Sequence, residues 1–90
     1  KVSMGTIAAR DAIRVLELTE QVAAATLLAA NQGVWLRSKA EEARPLPPAL
    51  AAMHEALAMD FAPVIEDRAL ESELRLCLQR IAEQHWRLHA

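Results

Sequence analysis

Val22-Ala23-Ala24-Ala25-Thr26-Leu27-Leu28-Ala29-Ala30 is the stretch whose reading decides the fold. Alanine and leucine are the strongest helix formers, and neither glycine nor proline interrupts them. At 100° per residue the stretch is apolar on every face, and a helix that is hydrophobic all round is normally buried all round. Outward from it, a proline-free segment extends over residues 4–37, with Ser3 placed to cap its first turn. In the upstream half Arg10, Arg14, Glu17 and Gln21 share one narrow stripe, which reads as a solvated face or an interface. Ala8, Ala12, Val15, Thr19, Val22, Ala23 and Thr26 form the opposite, mostly small face. That face is the expected buried side, since small side chains let another helix come close.

A helix over 4–37 would be about 51 Å long at 1.5 Å per residue. A compact chain of 90 residues has a radius of gyration near 12 Å and a diameter of about 30 Å. The rod is therefore too long, and its middle too apolar, to be sheathed by its own chain. It needs partners from outside these residues. The longest uncharged run, Gln21 to Leu36, falls short of the roughly 20 apolar residues of a membrane span and contains Gln21, Asn31 and Gln32.

Downstream, the polar stretch 38–44 and Pro45-Leu46-Pro47-Pro48 break the helix and make a loop over 38–47. Leu50, Met53, Leu57 and Phe61 recur at helical spacing, which predicts a second helix over 48–60, ended by Pro63. A third is predicted over 69–86, with Leu70, Leu74, Leu78, Ile81 and His85 on its inner stripe. Glu71 with Arg75 and Glu83 with Arg87 stand in the favourable acid-first order. The expected fold is all-α: one long core helix and two shorter helices, part of a larger helical bundle.

Composition narrows the function classes. The chain is 53% hydrophobic, with 19 Ala and 13 Leu, which excludes disorder from low hydrophobicity. Two Gly and four Pro leave little material for a many-stranded fold. A net charge of −2 and only three aromatics (Trp35, Phe61, Trp86) give no footprint for nucleic acid. The single Cys77 allows no intrachain disulfide, and the expected location is cytoplasmic. The chain opens on Lys1 rather than Met, which suggests processing or a piece of something longer.

Candidate chemistry is sparse. His85 and His89 lie four apart and share a helix face, but no third ligand accompanies them, and interaction with the helix dipole explains them better than a metal. Cys77 beside Leu74 and Leu78 reads as a small buried hydrophobe rather than a nucleophile. His54 reads as a surface or boundary residue, and Asp67 as the cap of the third helix. Gly5 and Gly33 stand alone, so there is no phosphate loop.

Three motifs carry a resemblance. Val2-Ser3-Met4-Gly5-Thr6-Ile7-Ala8-Ala9-Arg10 resembles a stretch of the histidine and aromatic amino-acid ammonia-lyases and aminomutases, where V-S-M/L-G-T-x-A-A-R follows an Asn-Gln-Glu/Asp segment. Ala30-Asn31-Gln32-Gly33-Val34-Trp35-Leu36-Arg37 is similar to that family's A-x-Q-G-x-x-x-R, and Asp67-Arg68 to the Asp-Arg before its last helix. The resemblance implies a large helical enzyme, a homotetramer around a bundle of long helices. Such an enzyme eliminates ammonia from histidine, phenylalanine or tyrosine. Its electrophile is a methylidene-imidazolone formed from an internal Ala-Ser-Gly. That tripeptide, the family's tyrosine base, its carboxylate-binding arginine and the Asn-Gln-Glu/Asp segment are absent here.

The expectation is a C-terminal segment of such an enzyme, inactive alone, with no catalytic, cofactor-binding or metal residue of its own. Its partners would be the rest of the lyase chain and its homo-oligomer. Ser3, Met4 and Gly5 would pack near the pocket by adjacency to the missing segment. The rival class is a stand-alone helical interaction module without catalysis. Histidine is the first expectation for substrate, because Ser-Met-Gly with Gln-Gly is most similar to that branch.

Overall fold

A computed structural model describes residues 4–86. Three helices follow in order: α1 (Met4–Ser38), α2 (Pro48–Asp60) and α3 (Glu71–Ala82). The fold is all-α, with no strand among the described residues. α1 has 35 residues and accounts for the elongated shape, 65 × 33 × 22 Å with a radius of gyration of 17.1 Å. A compact chain of this length would have a radius of gyration of about 12 Å. No described helix is long and apolar enough to cross a membrane.

α2 starts where Pro48 enters the first turn, a position at which its fixed φ and missing N–H do no harm. It ends at Phe61, whose extended backbone begins the 61–70 connection. α3 is shorter than the 69–86 read from the pattern. Its N-cap is Leu70, closed by no side-chain hydrogen bond, so Asp67 is not the cap. Glu71 and Glu73 supply the negative charge that favours a helix start.

At its far end α3 closes in a Schellman turn. The His85 N–H donates to the Arg80 carbonyl and the Gln84 N–H to that of Ile81, at 3.0 and 3.1 Å. Gln84 takes the left-handed position, φ 53°, where glycine is usual. This turn lifts His85 off the helix into solvent, against its expected place on the inner stripe, and swings Trp86 back over Phe61. The two rings meet with centroids 6.1 Å apart at 57°.

The core is small and sits at one end of the rod. Ala24 and Cys77 are 0% exposed, and Phe61, Leu57 and Trp86 complete the buried cluster. Leu27 and Leu28 of α1, Met53 of α2, and Leu74, Leu78 and Ile81 of α3 are half-buried around it. Leu50, at the start of the expected α2 stripe, stays exposed. Both short helices therefore lie on one side of the C-terminal half of α1. Residues 4–22 are exposed throughout, and with them nearly all of the small face read as the buried side: Val15 and Val22 are 60% and 65% exposed, and of that face only Ala23 is half-buried. Neither α2 nor α3 buries them.

Candidate functional site

The second and third sequence motifs meet where α1 faces the 61–70 connection. Gln32 is half-buried, and its carboxamide grips the backbone of Val64 at both polar atoms. Gln32 Nε2 donates to the Val64 carbonyl, and the Val64 N–H donates to Gln32 Oε1, both at 2.8 Å. The side chain thereby satisfies the N–H and C=O of a half-buried residue as a neighbouring strand would. Arg68 holds the same connection from its other end. Its guanidinium donates to the carbonyls of Ala62 (3.0 Å) and Pro63 (3.2 Å) and pairs with Glu73 at 2.8 Å. Asp67, its neighbour in the motif, stays exposed.

Beside this clasp is an apolar groove of about 420 Å³ between α1, the connection and α3, walled by Ala25, Leu28, Phe61, Val64 and Leu74. Asn31 also lines it, 8% exposed, with its Oδ1 buried and without a hydrogen-bond partner. Gly33, next in the motif, is helical and points into open space: a Cβ there would meet nothing within 4 Å. Trp35 carries the Lys39 ammonium 5.3 Å from its ring centroid. The clasp was missed in the sequence. The available signal was the polar pair Asn31-Gln32 closing an otherwise apolar helical run.

The remaining candidates are dispersed. Ser3 and His89 lie outside the described residues, while Met4 and Gly5 are exposed at the start of α1. Cys77 is fully buried, with its thiol 3.8 Å from the Ala24 carbonyl, and burial pushes the thiol above its ordinary range. A thiol held in its neutral form in a helix contact is packing, not a nucleophile. His85 Nε2 lies 4.0 Å from Asp60, which also accepts from Arg80 at 3.4 Å. His54 is half-buried, a boundary position. No group of three His, Cys, Asp or Glu that could hold a metal occurs among the described residues. Glu71 pairs with Arg75 as expected; Arg87, the partner expected for Glu83, lies outside the described residues.

Among the described residues, these contacts clasp α1 and α3 to the connection between α2 and α3. The family model described as aromatic amino acid lyase matches residues 1–59, through α1 and nearly all of α2. The chain belongs to the aromatic amino acid lyase family. The match stops before the connection, so Arg68 and α3 lie outside it. No curated protein and no solved structure matches the chain. Enzymes of this family use a methylidene-imidazolone. The residues here do not fit its formation, because none of Ser3, Ser38 and Ser72 stands between Ala and Gly.

Proposed function

We propose that this chain is the C-terminal helical segment of a cytoplasmic ammonia-lyase acting on histidine or an aromatic amino acid. It supports the active site from behind and supplies a long helix to the enzyme's homo-oligomeric core. The observation that carries the proposal is α1 itself: a family-matched helix whose apolar waist is covered on one side only. Val15, Leu18, Val22 and Leu36, about half exposed, would each gain about 1–2 kcal/mol on full burial, which is pressure toward neighbours. Ser3, Met4 and Gly5 pack beside the pocket once the upstream chain is present. The electrophile and the proton-abstracting base come from that upstream chain.

The test is to express the 90 residues alone and the same reading frame extended upstream, and to follow product absorbance. Urocanate reports histidine as substrate; cinnamate or coumarate reports phenylalanine or tyrosine. Activity is expected only from the extended protein, whose added sequence should contain Ala-Ser-Gly. Elimination by the 90 residues alone, or an upstream frame without that tripeptide, overturns the proposal.

A further inference from the structure

We draw no further inference here: the strongest candidate, the apolar groove of about 420 Å³ between α1, the 61–70 connection and α3, carries none, because nothing in the structure shows what covers it and the unpartnered Asn31 Oδ1 beside it is itself shut off from solvent.

Discussion

Replacing Gln32 by alanine tests the clasp that fastens α1 to the 61–70 connection. The side chain makes two hydrogen bonds of 2.8 Å to the backbone N–H and C=O of one residue, Val64, and both are half-buried. A typical intramolecular hydrogen bond contributes about 0.5–1.5 kcal/mol net, and a buried polar group left without a partner costs about 1–3 kcal/mol. Water reaches part of the site, so the lower half of the combined range applies: about 2–3 kcal/mol. In a small domain whose total stability is about 5–10 kcal/mol that is a large fraction. Two measurements read it. Urea unfolding followed by circular dichroism should show the midpoint fall with little change in slope. Amide hydrogen exchange should show Val64, whose N–H donates to Gln32 Oε1, lose about tenfold or more of its protection. Gln32→Glu isolates the donor half. Its carboxylate still accepts from the Val64 N–H but faces the Val64 carbonyl without a proton, so this variant should recover stability as pH falls and the carboxyl becomes a donor. An unchanged Val64 exchange rate, or a loss below about 0.5 kcal/mol, would refute the clasp.

Three further outcomes follow from named atoms. Gln84→Gly should raise stability by about 0.5–1 kcal/mol in thermal melts, because φ 53° is strained for a side-chain-bearing residue and ordinary for glycine. Burial holds the Cys77 thiol above its ordinary range, so the folded state retains a proton that the unfolded state releases. Stability should therefore be flat with respect to this group below about pH 8 and decline as pH rises through the thiol range, a decline that Cys77→Ala removes; the native thiol should react with a thiol reagent only as fast as the chain opens. Arg68→Ala frees two carbonyls and the Glu73 carboxylate, and should cost about 1–2 kcal/mol in urea melts; Arg68→Lys should recover little, since one ammonium cannot reproduce the planar fork that reaches both Ala62 and Pro63.

The run from Val22 to Ala30 was enough to foresee a long helix and an all-α fold, because propensity and periodicity act within a few residues. The same local pattern placed α2 at residues 48–60, between a proline that starts a helix and an extended residue that stops it. It also made Cys77 a packed hydrophobe. The ends of α3 were not legible. They depend on Arg68 drawing the connection back toward Glu73, and on Gln84 accepting a left-handed turn that its residue type does not announce. Nor could one-dimensional spacing say which side of α1 the short helices would take. Amphipathicity pointed to the small face of the upstream half, whereas α2 and α3 settle on the side of Ala24 and Asn31, where Gln32 can reach Val64. Pattern shows which surfaces must leave water. Which neighbour covers each one is decided by length, connection and hydrogen-bond reach in three dimensions, and among the described residues α2 and α3 cover only one side of the longest helix.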